Sequence, residues 1–191
     1  MRIISGIKRG HKLITPRGNI ARPMTDKNRE TIFNIVLHGK ELADCGFNLD
    51  NSIILDMFAG TGAFAFEAIS RGAKEAILVE NDQYMIDIIF KNAEKLKMNL
   101  EVSLLEKDAT SIWADDIDKD KEIDLIFIDP PYEKKLEFKA IKNILKKKIL
   151  KKNKIIIVEQ YIKESLITYE GLELIRTKEL GITRFSFFKI K

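Results

Sequence analysis

Short apolar runs alternate with amphipathic stretches along most of the chain. The runs lie at 53–57, 75–79, 100–105, 123–128 and 154–159. Each is a near-continuous Ile/Leu/Val/Phe segment, the pattern of a strand buried on both faces. Between them, 63–71, 82–98 and 135–150 read as helices, and a short helix fits 111–113. Strands alternating with helices predict a mainly parallel sheet covered on both sides. Two further runs, 173–177 and 184–190, are joined around Gly181 and predict an antiparallel hairpin at the sheet edge. Upstream, Ile32, Phe33 and Val36 recur at helical spacing within 26–37. Thr25 suits the N-cap of that helix and Asp26 its positive end. Residues 2–5 and 12–15 predict two short strands around Gly6 and Gly10, a β-hairpin.

Composition narrows the class. A chain of 191 residues with 45% hydrophobic and 32% charged residues makes one globular domain. Within it, 1–40 reads as a basic hairpin-and-helix extension of the body at 41–191. No apolar run exceeds four residues, which excludes a membrane-spanning helix. The start of the chain carries Arg2, Lys8, Arg9, His11 and Lys12 and lacks the apolar stretch of a signal peptide. The lone Cys45 forms no internal disulfide, and two histidines leave little for a metal centre. The expectation is a soluble, cytoplasmic, metal-free monomer. Charge is uneven: the net value is +4, but 1–40 carries +7, 41–130 carries −12 and 131–191 carries +9. Basic ends around an acidic middle suit a polyanionic partner such as nucleic acid. The N-terminal cluster is the more telling one, because it holds arginine, the better phosphate fork.

The chemistry sits where strands end. Asp56-Met57-Phe58-Ala59-Gly60-Thr61-Gly62 is a strand-to-helix turn whose glycines allow a tight bend and close approach to a ligand. An acid four residues before the first glycine suits a cationic ligand and would repel a pyrophosphate. Glu80 ends the next strand and can accept from two ribose hydroxyls. Asp108 follows the third strand and can reach an adenine amino group. Three acids ending consecutive strands face the carboxyl edge, where open α/β sheets bind ligands. Asp129-Pro130-Pro131-Tyr132 ends the fourth strand. Two prolines stiffen it and remove two donors, leaving the Asp129 carboxylate and the Pro130 carbonyl as fixed acceptors beside an aromatic ring. Such a loop fits a planar, amine-bearing base. Acceptors gripping the amine hydrogens stabilise positive charge developing on nitrogen.

These residues resemble the class I S-adenosylmethionine (SAM) dependent methyltransferases, and specifically the RsmD-type 16S rRNA (guanine-N2)-methyltransferases. The resemblance runs nearly end to end. It includes Arg2-Ile3-Ile4-Ser5-Gly6, Arg9-Gly10, Arg22-Pro23-Met24-Thr25-Asp26, Arg29-Glu30-Thr31-Ile32-Phe33-Asn34, both loops above, and Ser70-Arg71-Gly72-Ala73. The first loop and Asp129–Tyr132 are shared by the superfamily, whereas the block from Arg22 to Asn34 is specific to the family. The resemblance implies an α/β, Rossmann-like class I methyltransferase fold. Its sheet has seven mainly parallel strands in the order 3-2-1-4-5-7-6, with strand 7 antiparallel, and an N-terminal β-hairpin extension. It implies methyl transfer from SAM to N2 of guanine 966 of 16S rRNA during small-subunit assembly, with no metal. Carried onto this chain, SAM is held by Thr25, Arg29, Asp56, Phe58, Ala59, Gly60, Thr61, Gly62, Glu80, Asn81, Asp108 and Ala109. The guanine is held by Asp129, Pro130, Pro131 and Tyr132. Arg2, Lys8, Arg9, Lys12 and Arg22 grip RNA.

Two other readings stay open on the residues. An adenine-N6 methyltransferase acting on DNA or RNA would use the same Asp-Pro-Pro-Tyr loop, since its substrate also presents an exocyclic amine. A non-catalytic RNA-binding assembly factor would keep the fold, though it would not need intact Asp56, Glu80 and Asp129.

Overall fold

The computed structural model describes residues 1–16, 24–112, 114–118, 120–131, 134–147, 149–150, 154–166 and 168–191. Seven strands form one sheet among them: β1 (Ile53–Asp56), β2 (Glu75–Glu80), β3 (Val102–Glu106), β4 (Leu125–Ile128), β5 (Ile155–Tyr161), β6 (Leu172–Leu180) and β7 (Thr183–Ile190). Their order is β3-β2-β1-β4-β5-β7-β6. Strands β1 to β5 are parallel, and β7 runs antiparallel to both of its neighbours. This is the order that the family resemblance implies. Where β1 is flanked by β2 on one side and β4 on the other, the chain switches direction across the sheet and leaves a crevice.

Side chains alternate along each strand, so two cores form. One face of the sheet, with Ile54, Leu78, Phe127 and Ile157, is covered by α1 (Asp26–His38), α2 (Lys40–Asp44), α3 (Ala63–Ser70) and α4 (Gln83–Leu96). The other, with Leu55, Ile77, Ile126 and Val158, is covered by α5 (Leu136–Lys147) and by Ala109, Ile112 and Ile117. Local signals fix the helix ends. The Thr25 hydroxyl accepts from Asn28 N at 3.1 Å, and Asp82 caps α4 by accepting from Tyr84 N and Met85 N.

Two expectations change. Helix α2 is absent from the sequence pattern; its five residues, Lys40–Asp44, are too short a stretch for periodicity to show. The N-terminal hairpin is also not a two-stranded ladder. Arg2 and Lys12 form one isolated bridge around a turn in which Gly6 and Gly10 have positive φ. Ile3 N, Gly10 N and Leu13 N donate across the turn to His11 O, Ile3 O and Met1 O, and other backbone donors go to the body of the protein. Ile4 N and Ser5 N donate to Glu67, Ile7 N to Ser70 O, Lys8 N to Ser70 Oγ, and Ile14 N to Asn92 Oδ1. Gly6 sits so close to Ser70 that a Cβ there would overlap its carbonyl, so the turn admits only glycine at this point.

Candidate active site

A cleft of about 720 Å³ opens at the carboxyl ends of the strands, a size suited to a small-molecule ligand. The loop after β1 forms its floor. Met57 N donates to Phe127 O on one side and Ala59 N to Val79 O on the other, so the loop is held by both flanking strands. Gly60 and Gly62 take positive φ values of 54° and 76°. They do different work. A Cβ on Gly60 would meet no heavy atom within 4 Å, so this glycine borders open space in the cleft. A Cβ on Gly62 would lie 2.6 Å from Phe66 and 3.0 Å from Leu78, so Gly62 lets α3 pack down on the sheet.

Asp56 is the buried acid of the cleft, 2% exposed. The backbone N–H groups of Phe58 and Ala65 donate to it, yet burial and the nearby Glu80 carboxylate push its pKa up to about 7. Such a site is short of one positive charge. Glu80 orders the rim: Oε2 accepts from Gly60 N at 2.8 Å, and Oε1 from Asn81 N and Asp82 N. Of roughly four lone-pair directions on a carboxylate, one stays open, on Oε2. Asp108 turns one oxygen, Oδ1, into its own 3-10 turn by accepting from Thr110 N and Oγ1.

The opposite wall is Asp129, Pro130 and Pro131 after β4. Asp129 opens partly to the cleft. Burial of its carboxyl and the facing carboxyls of Glu159 and Asp56 hold its pKa well above the usual carboxylate range. Phe64 stacks on Phe127 at 3.9 Å between ring centroids, and both rings line the cleft between the two acids.

Phe58, Ala59, Gly60, Thr61, Glu80, Asn81, Asp108, Ala109 and Arg29 line the cleft together with Asp56. Gly62 and Thr25 stand outside the lining, behind the loop and at the helix cap. Tyr132 and Arg22 lie outside the described residues. Arg2, Arg9 and Lys12 are exposed on the N-terminal segment and Lys8 is partly exposed.

Three further residues shape the site. Glu159, two residues before the end of β5, faces the Asp129 carboxyl. The strand-end rule that selects Asp56, Glu80 and Asp129 would have selected it too. Glu67 is a lone charge in an apolar helix, wholly buried and 3.6 Å from the Arg29 guanidinium. Asn92, also buried, accepts from Ile14 N and donates to the carbonyls of Ile14 and Thr61, tying the N-terminal segment to the glycine loop. Nothing in its sequence surroundings marks it.

The profile of the family described as conserved hypothetical protein 95 matches residues 1–189. A Haemophilus influenzae protein named ribosomal RNA small subunit methyltransferase D is 31% identical over 99% of this chain and 93% of its own length. The Escherichia coli K12 protein of that name is 33% identical over 88% of this chain and 78% of its own length. Among solved structures, the candidate methyltransferase yhhF of Escherichia coli superposes with a TM-score of 0.82 at 32% identity, covering 100% of this chain and 98% of the other.

Proposed function

The chain belongs to the conserved hypothetical protein 95 family, and from that premise we propose that it methylates an exocyclic amine, N2 of a guanine, in small-subunit ribosomal RNA, with SAM as methyl donor. Guanine 966 is the position that the family resemblance suggests. The observation that carries the reading is the pair of buried acids, Asp56 and Asp129, ending adjacent strands and facing one cleft across the switch point.

The residues present fit the donor. Asp56 lacks a cation, Gly60 borders open space, and Arg29 lines the cleft with an Nη1 that has no hydrogen-bond partner. Asp56 would therefore meet the positive amino end, Arg29 the carboxylate, and the open lone pair of Glu80 a ribose hydroxyl. Bound there, SAM supplies a methyl group made electrophilic by its sulfonium. The chain's part is to place the amine in line and to stabilise charge developing on it. Asp129 and the Pro130 carbonyl accept from the amine hydrogens, and Tyr132 gives the flipped base a stacking partner. The exposed Arg2, Lys8, Arg9 and Lys12 contact RNA phosphates, with Arg22 beside them in sequence.

Tritiated methyl transfer to small-subunit particles lacking the modification, followed by nucleoside analysis, tests this. N2-methylguanosine is the expected product. N6-methyladenosine would indicate the adenine enzyme, and SAM binding without transfer would overturn the catalytic reading.

Three results should accompany it. Asp56 has its proton below pH 7 and must lose it to receive a cation. SAM affinity should thus rise with pH, by up to ~tenfold per unit below 7, and level off above it. Calorimetry in buffers of different ionisation enthalpy should record proton release on binding, and Asp56→Asn should remove both effects. Gly60→Val should abolish SAM binding, because the new side chain projects into the cleft, while its left-handed φ costs only ~1–2 kcal/mol of stability. Alanine at Lys8, Arg9 and Lys12 together should flatten the salt dependence of RNA binding by roughly two to three units of slope. An unaltered slope would make these residues a solvated surface.

A further inference from the structure

We infer that the solvent face of α5 is a second RNA-binding surface, on which Lys139, Lys142 and Lys146 hold phosphates of the strand that leaves the cleft past Pro131. This deepens the reading above and rests on RNA being the substrate.

The helix divides into two faces. Ala140, Ile141 and Ile144 are buried against the sheet, and Asn143 donates to the Ile112 carbonyl. Lys139, Lys142 and Lys146 are exposed. At ~100° per residue they fall within ~60° of one another, so they form one stripe. Lys134 and Lys135, also exposed, extend it towards the cleft, and Lys134 lines the cleft itself. From Leu136 to Lys146 the helix rises ~15 Å, long enough to follow several phosphates. The one acid of the helix, Glu137, is 4% exposed and takes no part in the outer face.

A merely solvated face looks different in this same protein. The exposed side of α4 carries Asp87, Lys91, Glu94 and Lys95, with both signs interspersed. Elsewhere Lys107, Lys121, Lys154 and Lys189 each reach a carboxylate. Among the described residues Lys139, Lys142 and Lys146 reach none. Like charges three and four residues apart repel, so the stripe weakens the helix that carries it. Lys134 and Lys135 add to this. They stand at the positive end of the helix dipole, and Lys135 holds a left-handed φ of 49°. Nothing in the local structure is stabilised by this arrangement, whereas a polyanion laid along it neutralises the repelling charges.

The position fits the path of such a polyanion. Helix α5 follows the Asp129–Pro131 wall in sequence, so the stripe starts at the rim where the base enters. The other rim, at the ends of β2 and β3, carries Glu80, Asp82 and Asp108. RNA crossing the cleft is thus repelled from the half assigned to the cofactor and drawn over the β4 half. The N-terminal segment, which carries Lys8, Arg9 and Lys12, packs through Lys8 N on Ser70 and through Ile14 N on Asn92. That places it with α3 and α4, across the sheet from α5. The two basic surfaces therefore take different stretches of the RNA.

The test is the salt dependence of binding to small-subunit particles lacking the modification. Wild type is compared with the triple variant Lys139→Gln, Lys142→Gln, Lys146→Gln. The slope of log affinity against log salt should flatten by roughly two to three units, just under one per phosphate contact. SAM affinity should not move. The thermal midpoint should be equal to wild type or higher, because the repulsion within the helix is relieved, so weaker binding would not reflect a damaged fold. Arginine at the same three positions keeps the charge and should keep the wild-type slope. With alanine at Lys8, Arg9 and Lys12 added to the glutamine variant, the two losses of slope should sum. A glutamine variant with the wild-type slope overturns the inference, as does an arginine variant that loses as much slope as the glutamine one. A combined loss no larger than either alone overturns it too, since the surfaces would not be separate. Binding needs no turnover, so a flattened slope would stand even if no methyl were transferred. Conversely, N2-methylguanosine formed by wild type, beside an unaltered slope in the glutamine variant, would remove α5 and leave the methylation in place.

Discussion

Asp129→Ala should lower the single-turnover rate of methyl transfer by ~10²–10³ while SAM affinity stays within a few-fold of wild type. The reason is timing. A neutral exocyclic amine needs little from a carboxylate in the ground state, because its lone pair is delocalised into the ring. Positive charge appears on nitrogen only as the methyl group arrives. A preorganised acceptor that meets it there acts on the barrier and not on binding, and removing one such group typically costs that factor. Asp129 is well placed for this: it ends β4 beside two prolines, whose fixed φ values restrict the loop. Asp56→Ala should weaken SAM binding, whereas Asp129→Ala should weaken chemistry. Rapid-quench measurement of transfer beside calorimetric SAM titration checks both. A near-normal rate for Asp129→Ala would remove this loop from the mechanism.

Glu67→Ala should be the most destabilising single change, by about 3–5 kcal/mol. With a fall of ~2–4 °C per kcal/mol for a domain of this size, thermal unfolding would report it directly. Glu67 Oε2 accepts from Ile4 N at 2.8 Å, and Oε1 from Ser5 N at 3.0 Å and Arg71 Nε at 2.6 Å. Arg29 is fully buried against it. Alanine would leave two buried guanidinium groups without that carboxylate and two backbone donors without acceptors. The loss should therefore include the docking of residues 2–5, visible as faster amide hydrogen exchange at Ile4 and Ser5. Glu67→Gln should recover part of the stability, since an amide oxygen still accepts while the charge is missing. Exchange at Ile4 and Ser5 as slow as in wild type would show that the N-terminal segment is held by other means.

Much of the molecule was legible before its coordinates. The parallel strands announced themselves because burial on both faces demands uninterrupted apolar runs, as in Leu125–Ile128 and Ile155–Val158. Thr25 was readable as a cap because a cap is a local event within three residues. The strand-end acids were readable because the sheet's topology gathers them at one edge. What stayed hidden depends on distant partners. Neither Glu67 nor Asn92 carries any local sign of the segments 62 and 78 residues away that it holds. The N-terminal hairpin is reduced to a single bridge for the same reason, since Ile4, Ser5, Lys8 and Ile14 spend their backbone donors on residues far along the chain. Glu159 differs, as its position at the end of the predicted strand 154–159 was visible and only its place facing Asp129 was not.

The sheet ends at β6, which pairs only with β7 and so presents one row of backbone donors and acceptors to its surroundings. An edge of that kind is a template on which another chain could add a strand, the usual beginning of aggregation. Here the register slips between Leu174 and Arg176, leaving Ile175 outside the pairing. A bulge at this point twists the edge, and Glu173, Arg176, Lys178 and Glu179 would each have to give up water or an ion-pair partner to admit a second strand. The irregular strand farthest from the chemistry is thus the one that keeps neighbouring molecules from extending the sheet at high concentration.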